Sequence, residues 1–172
     1  VRPNPEAFKL GQTTHSQVVK QMGTPMNVSN SQYNGATITG IRYGHSKVVG
    51  ALEEDVIPVR SLWFYFHKDT LGGQSFDSSF RSDNTDFDDQ KVSNIVKGKT
   101  NRVEVLQLLG RPSGSYIPPM VKKTSGEAIG YRYLAVRSTD NGIKVAVSKN
   151  LLITFDDKGA VLDVESSSSR AK

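Results

Sequence analysis

The chain has 172 residues, of which 36% are hydrophobic and 23% are charged, and it contains no cysteine. This composition fits one ordinary globular domain or two small ones, and it excludes disulfides and thiolate chemistry. The formal net charge of +5 is compatible with attraction to nucleic acid or to an anionic membrane. Because the cations are scattered, with Lys122–Lys123 as the one adjacent pair, we expect an ordinary surface and no nucleic-acid partner.

The first half of the chain is predicted to form one short helix followed by strands. The strongest strand signal is SLWFYFHK, which alternates with a period of two. In order, the predicted elements are a helix at about Thr14–Met22, a loop with at most one weak strand over Pro25–Gly40, strands at Ile41–Tyr43, Lys47–Leu52 and Val56–Lys68, a turn at Asp69–Gly73 and a strand at Gln74–Phe80.

The second half is predicted to follow the same plan after a polar, acidic stretch. The turn chemistry of STDNG and DDKG separates its strands. Its predicted elements are a helix at about Thr100–Leu109, a loop over Ser113–Thr124 and strands at Glu127–Val136, Lys144–Ser148, Asn150–Phe155 and Ala160–Glu165.

A motif of Gly-x-Thr, a short apolar helix and Gly-x-Pro occurs at Gly11–Pro25 and again at Gly98–Pro112, an offset of 87 residues (98 − 11). An internal repeat of this kind indicates that the fold is built from two similar units. Ile41–Tyr43 (IRY) also aligns with Tyr131–Tyr133 (YRY), and LWFYF aligns with LLITF further along each half.

Both predicted helices carry signals at their ends. The hydroxyls of Thr13 and Thr100 can accept hydrogen bonds from free N–H groups of the first turn, so these residues are predicted N-caps. Gly23 and Gly110 predict a left-handed stop, and the proline two residues later prevents continuation. Helices of about ten residues are not stable alone, so both must lie on a larger element.

The sequence therefore predicts an α+β fold of two tandem repeats, each a helix plus an antiparallel sheet, with the helices packed on one face of the sheet. The predicted organisation is a first repeat over 8–80, an acidic connector over 81–91, a second repeat over 92–165 and a polar tail over 166–172.

Four stretches resemble the SmpA/OmlA (BamE-like) family of small bacterial outer-membrane lipoproteins that face the periplasm. They are FKLGQTTHSQVVKQMGTP, IVKGKTNRVEVLQLLGRP, GYRY and LLITFDDKGAVLDV. The strand end FHKDTLG departs from the family's F-x-x-x-G turn. Two such units in tandem are similar to the architecture of the β-lactamase inhibitor protein, a BLIP-like fold.

The resemblance implies a mature chain without a signal peptide, located in the bacterial periplasm at the inner leaflet of the outer membrane. It implies a lipid anchor on a cysteine upstream of Val1. The implied partner is another envelope protein, and the implied role is envelope assembly or maintenance. The alternative is a proteinaceous enzyme inhibitor of the β-lactamase inhibitor type, which would present a loop around Val48–Leu52 or Ser115–Pro119 to its target.

No pattern in the sequence predicts catalysis, a metal or a cofactor. The three histidines lie in separate elements without metal-ligand spacing, and no G-x-S-x-G nucleophile motif is present. An EF-hand loop starting at Asp83 would hold Asp88 and Asn94 where Gly and Glu are required, so the acidic connector is interpreted as a solvated linker. We expect a protein that is not an enzyme.

The candidate binding site is aromatic. Alternation in the strand around Phe64 directs Leu62, Phe64 and Phe66 toward the helices, and leaves Trp63 and Tyr65 on the opposite face. Tryptophan and tyrosine are enriched in interface hot spots. The predicted protein-binding residues are Trp63, Tyr65, Tyr43, Tyr131 and Tyr133, with the register of the last three undetermined. The alternative is that a second sheet or a loop covers these rings.

Overall fold

The computed structural model describes residues 7–47, 49–51, 55–122 and 126–170. Its strands form one antiparallel sheet in the order β1-β2-β4-β5-β6-β7-β8-β9, with β3 paired to β7. The elements are α1 (His15–Met22), β1 (Asn27–Tyr33), β2 (Ala36–Ser46), β3 (Val56–Ile57), β4 (Val59–His67), β5 (Thr70–Ser78), a 3-10 helix (Asp89–Asn94), α2 (Arg102–Leu109), β6 (Gly114–Tyr116), β7 (Glu127–Ser138), β8 (Lys144–Phe155) and β9 (Val161–Arg170).

This architecture corrects the predicted fold class. The structure is mostly antiparallel sheet (51%) with little helix (15%) and is curled into a half-barrel, so the predicted α+β fold of two tandem helix-plus-sheet repeats is wrong. The strand β6 lies in a stretch predicted as loop, and it pairs with both β5 and β7. Through β6 the strands of the two halves become one continuous sheet. This sheet contains far more residues than the two helices, which have eight residues each.

The stretch over Pro25–Gly40, predicted as a loop with at most one weak strand, contains β1 and the start of β2, which form a hairpin. Every residue of β1 is exposed, so this edge strand lacks the apolar alternation that reveals a half-buried strand. The hairpin turns at Asn34 and Gly35, which have φ angles of 48° and 78°. Asn-Gly is the typical pair for such a two-residue turn, and this signal was present in the sequence.

Three other boundaries differ from the predictions. The predicted pair of strands within 144–155 is one continuous strand, β8. The final strand extends to Arg170, so most of the predicted polar tail is an edge strand paired with β8. The predicted strand Lys47–Leu52 lies partly outside the described residues; within it, Ala51 forms an isolated bridge with Phe80.

Both helices are capped one residue later than predicted. Thr14 accepts a hydrogen bond from the N–H of Gln17, and Asn101 accepts one from Glu104, each in a complete capping box. The hydroxyls of the predicted caps accept instead from backbone N–H groups four residues earlier, at Lys9 for Thr13 and at Val96 for Thr100. The helices end at the predicted glycines, which have positive φ angles of 81° and 76°. Their ψ angles of −164° and −156° are not those of the predicted left-handed helical conformation.

Both helices pack on the same face of the sheet. Val18 of α1 belongs to a core cluster with Ile41, Phe64, Phe66 and Leu71. The corresponding residue of α2, Val105, belongs to a second cluster built around Ile129, Tyr131, Leu151, Ile153 and Phe155. The opposite face carries no helix within the described residues, and we call it the open face. A buried cluster that includes Met120 and Val121 packs against Tyr65 on it.

The acidic connector is packed against the fold, which corrects its interpretation as a solvated linker. Asp83 accepts a hydrogen bond from Ser78 at 2.6 Å and lies 2.9 Å from the guanidinium Nε of Arg60. Phe87 is buried against Tyr131. The buried ring of Phe87 and the paired carboxylate of Asp83 together hold this segment against the sheet.

Among the described residues, the helices are all too short or too polar to cross a bilayer.

Candidate functional site

The structure places Trp63 and Tyr65 on the open face. Their neighbours in β4, Phe64 and Phe66, are buried beneath α1. The rings of Trp63 and Tyr65 are stacked, with centroids 6.0 Å apart and planes within 2° of parallel. Both side chains are half-buried, so a planar aromatic platform stays partly accessible to solvent. Their role in binding stays a prediction.

The other three predicted tyrosines lie on the helix-bearing face and do not join this platform. The hydroxyl of Tyr43 donates to the carbonyl of Gly23 at 2.8 Å, and that of Tyr131 donates to the carbonyl of Gly110 at 2.9 Å. Each of these two tyrosines thereby satisfies a carbonyl at a helix end. Tyr133 is 5% exposed within another core cluster. These contacts are structural, because they hold the helices and core together.

Two arginines flank the aromatic platform, and neither was among the predicted protein-binding residues. Arg42 is paired in register with Trp63, and its guanidinium lies 5.7 Å from the indole centroid. Arg132 donates a hydrogen bond from Nη1 to the hydroxyl of Tyr65 at 3.1 Å. Both are the central residues of the aligned IRY and YRY stretches. In each stretch the arginine lies between two apolar or aromatic residues of a strand. This alternation could have indicated from the sequence that both arginines lie on the face opposite their neighbours.

Tyr116 lies flat across the open face because glycines stand beneath it. A Cβ atom at Gly73 would lie 2.6 Å from the ring of Tyr116, and one at Gly130 would lie 2.9 Å from it. Real Cβ atoms do not approach so closely, so these two positions require glycine. The ring is thereby held 6.1 Å from that of Tyr65. Burial raises the pKa of Tyr116 to about 12, so its hydroxyl stays neutral.

Asp77 lies beneath this cluster as a buried carboxyl group. It is 1% exposed, and neither carboxylate oxygen has a hydrogen-bond partner among the described residues. Its Oδ1 lies 3.9 Å from Nε of Arg132, which is long for an ion pair. Burial raises the pKa of Asp77 to about 6, and the charges of Arg132 and Arg42 act in the opposite direction. Its burial keeps this carboxyl out of reach of a substrate, which argues against a general base.

A cavity of about 410 Å³ opens beside the platform. Its wall includes Tyr33 at one edge of the sheet and Glu165 and Ser167 at the other. Residues from both edge strands can line one cavity only because the sheet curls toward the open face. The remaining wall residues are Tyr65, Tyr116, Met120, Gly130, Arg132, Asn150, Leu151, Leu152 and Ser166.

Within the described ranges, no cluster of three or more His, Cys, Asp or Glu side chains could hold a metal ion. The expectation that the protein is not an enzyme stays a prediction.

No protein-family model matches this chain. No curated protein matches it either. Among solved structures, it is similar to the crystal structure of a "putative beta-lactamase inhibitor protein" from Streptococcus mutans, at 13% identity and a TM-score of 0.45. The similarity covers 94% of this chain and 91% of that one.

This neighbour agrees in part with the likeness to the β-lactamase inhibitor protein inferred from the sequence motifs. With such low identity and TM-score, this similarity does not indicate the function of the chain. Membership of the SmpA/OmlA family stays a prediction, because no family model supports it.

Proposed function

We propose that this protein is a non-enzymatic binding module of the bacterial envelope that docks a partner protein on its open face. The observation that carries the proposal is the stacked pair of Trp63 and Tyr65, half-buried on a sheet face to which no described helix packs. Tryptophan, tyrosine and arginine dominate the energetics of protein interfaces, and all three types meet here.

Contacts within the fold also position the two rings, which favours binding. Arg42 and Arg132 contact Trp63 and Tyr65, respectively, so both rings are held before a partner arrives. A preorganised surface loses less conformational entropy on association than a mobile one. The curvature of the sheet adds a concave shape that fits a projecting loop or helix.

The envelope location and the lipid anchor rest on the SmpA/OmlA resemblance of the motif stretches. In this proposal a lipidated cysteine upstream of Val1 holds the module at the inner leaflet of the outer membrane. Mass spectrometry of the native protein tests the anchor directly, and an unlipidated native N-terminus would refute it.

Crosslinking pull-down from a bacterial envelope extract tests the binding face. The bait is the wild-type chain beside a Trp63→Ala/Tyr65→Ala double variant, with circular dichroism confirming that both fold. A matched control replaces exposed apolar residues on the helix side, Val96→Ser and Val103→Ser, which are 48% and 62% exposed. We expect one envelope protein to be retained by wild type and control and lost by the aromatic variant. Equal retention by all three baits would remove the open face as the interface.

The inhibitor alternative is favoured by one local observation. Val49 is an apolar side chain with 73% exposure in the connection between β2 and β3, within the loop predicted to enter a target. The second predicted loop is less suited, because Ser115 and Tyr116 belong to β6. In this alternative Val49→Asp abolishes inhibition of a target enzyme from a β-lactamase panel, and no inhibition by wild type across the panel would remove it.

A further inference from the structure

The centre of the open face carries more positive than negative charge. Register places Arg42, Asp77 and Arg132 on this face, next to Trp63 and Tyr65. Asp77 is 1% exposed, whereas the side chain of Arg132 is 31% exposed and Arg42 is half-buried. Two cations therefore stand closer to solvent than the one anion beneath them.

These arginines also have hydrogen-bonding capacity that the fold does not use. A guanidinium carries five N–H donors. Arg132 donates to Tyr65, and its Nε has no hydrogen-bond acceptor in the part of the chain that the structure describes. The side chain of Arg42 forms no hydrogen bond or ion pair with any described residue, and its Nε is buried without an acceptor. Asp77 does not fill this capacity, because its nearest oxygen is 3.9 Å from Arg132 Nε.

The nearby acidic residue of the cavity wall is already engaged. Glu165 lies 3.0 Å from the ammonium group of Lys122. Together with Asp77, Arg42 and Arg132, these two groups make five, and their charges sum to +1 (3 − 2) when all are ionised.

Building on the proposed function, we propose that the partner presents an acidic segment to the open face, with its carboxylates bound by the outer N–H groups of Arg42 and Arg132. Arginine is suited to this role, because its planar fork matches the geometry of a carboxylate. The apolar stems and peptide planes of the acidic segment lie over the stacked rings of Trp63 and Tyr65. The occupant is thus an Asp- or Glu-rich stretch of protein, chosen by charge complementarity.

Asp77 gives this site a dependence on pH. The charged groups that act on it are Arg132 from β7 and Arg42 from β2. Two tyrosines, Tyr65 from β4 and Tyr116 from β6, in turn act on Arg132. The two tyrosines stay neutral, since burial raises the pKa of each. Ionised Asp77 repels the incoming carboxylates, and its protonation, with a pKa of about 6, removes that repulsion. Binding of an acidic segment therefore strengthens as the pH falls through this range.

A pair of labelled peptides tests the inference. Fluorescence anisotropy compares a fluorescein-labelled Glu–Gly repeat with a Gln–Gly repeat of equal length, on the full chain at low salt. We expect the Glu–Gly peptide to bind at least ~10-fold more tightly, and its affinity to fall as salt screens the charges. Arg42→Gln and Arg132→Gln should each weaken it by about 3-fold to 10-fold. Arg132→Lys retains the charge and controls for any loss of folding in Arg132→Gln.

Lys158→Gln is the matched control, since it removes one exposed positive charge in the turn between β8 and β9. It should leave the affinity nearly unchanged. Lowering the pH from about 7.5 to about 5.5 should tighten binding to wild type but not to Asp77→Asn. Equal binding of the two peptides, or an equal loss in Lys158→Gln, would overturn the acidic-segment inference.

That failure is distinguishable from failure of the proposed function. If the envelope partner is still captured by wild type and lost by the Trp63→Ala/Tyr65→Ala variant, the binding face stands and only the acidic character of the partner is refuted.

Discussion

At the scale of single residues, the unusual feature is a buried carboxyl group that no described residue hydrogen-bonds. Asp77 could have been replaced by a neutral residue if packing alone mattered, because a buried ionised carboxylate is costly. Arg132 and Arg42 reduce that cost but do not remove it, since the pKa of Asp77 still rises to about 6. The residue therefore lowers the stability of the fold at neutral pH while it sets the charge of the open face.

Asp77→Asn is expected to stabilise the protein at about pH 7.5 by about 1–3 kcal/mol, because one pKa unit corresponds to about 1.4 kcal/mol. The folded-state pKa of about 6 lies above the ordinary value of 3.8, so the folded state binds the proton more tightly. The cost of ionisation is absent below about 3.8, grows up to about 6 and is constant above it.

Urea unfolding of wild type and Asp77→Asn across this pH range measures the difference. The two stabilities should converge in acid and separate as the pH rises. A variant that is equally stable or less stable at about pH 7.5 would contradict the raised pKa.

At the scale of elements, the two short helices depend on their ends. Each has eight residues, which is below the length at which an isolated helix persists. Capping boxes hold the N-termini, and a tyrosine hydroxyl from the sheet bonds a carbonyl at each C-terminus. The sheet therefore both buries one face of each helix and completes its hydrogen bonding.

Asn101→Ala should lower the free energy of unfolding by about 1 kcal/mol, because its side chain accepts from the N–H of Glu104 at 3.0 Å. Asn94→Ala is the matched control, since Asn94 is exposed at the end of the 3-10 helix. Chemical denaturation of both variants provides the measurement. Equal effects of the two substitutions would show that the cap contributes nothing specific.

At the scale of the whole molecule, the single sheet joins the two core clusters under the helices, so we expect them to unfold as one cooperative unit. The three residues of β6 pair with strands on both sides, so unfolding of either half exposes an edge of the other. The connector adds to this coupling, because Thr85 donates a hydrogen bond to the carbonyl of Arg132 at 2.7 Å. Two independent repeats would lack such links.

Val105→Ala, which opens a cavity under α2, should shift the unfolding transition seen by Trp63 fluorescence in the other half. Val105 is fully buried, and its truncation is expected to cost about 2 kcal/mol. Trp63 is the sole tryptophan of the chain, so its emission reports the first half alone. The fluorescence and circular dichroism midpoints should fall together.

Val103→Ala, at a position that is 62% exposed, is the control and should leave both midpoints unchanged. A fluorescence midpoint that stays in place while the dichroism becomes biphasic would indicate two separate folding units.

Local patterns in the sequence determined the helices, their glycine stops and most of the strands. They also assigned Trp63 and Tyr65 to the face opposite Phe64, because side chains alternate strictly along a strand. The edge strand β1 was predicted at most as a weak strand, because it carries no apolar alternation. The short strand β6 was missed, because three residues are too few to show a period. The predicted fold class was wrong because sheet far outweighs helix in the structure, 51% against 15%.

The tertiary structure alone decided which strands are neighbours, and with them the composition of the site. Tyr131 and Arg132 are adjacent in sequence, yet one bonds a helix end and the other bonds Tyr65 across the open face. Sequence alternation separates such residues but does not say which side faces the helices in each strand, because that depends on register between distant segments. The proximity of Asp77 to Arg132, and its raised pKa, follow from the same long-range pairing.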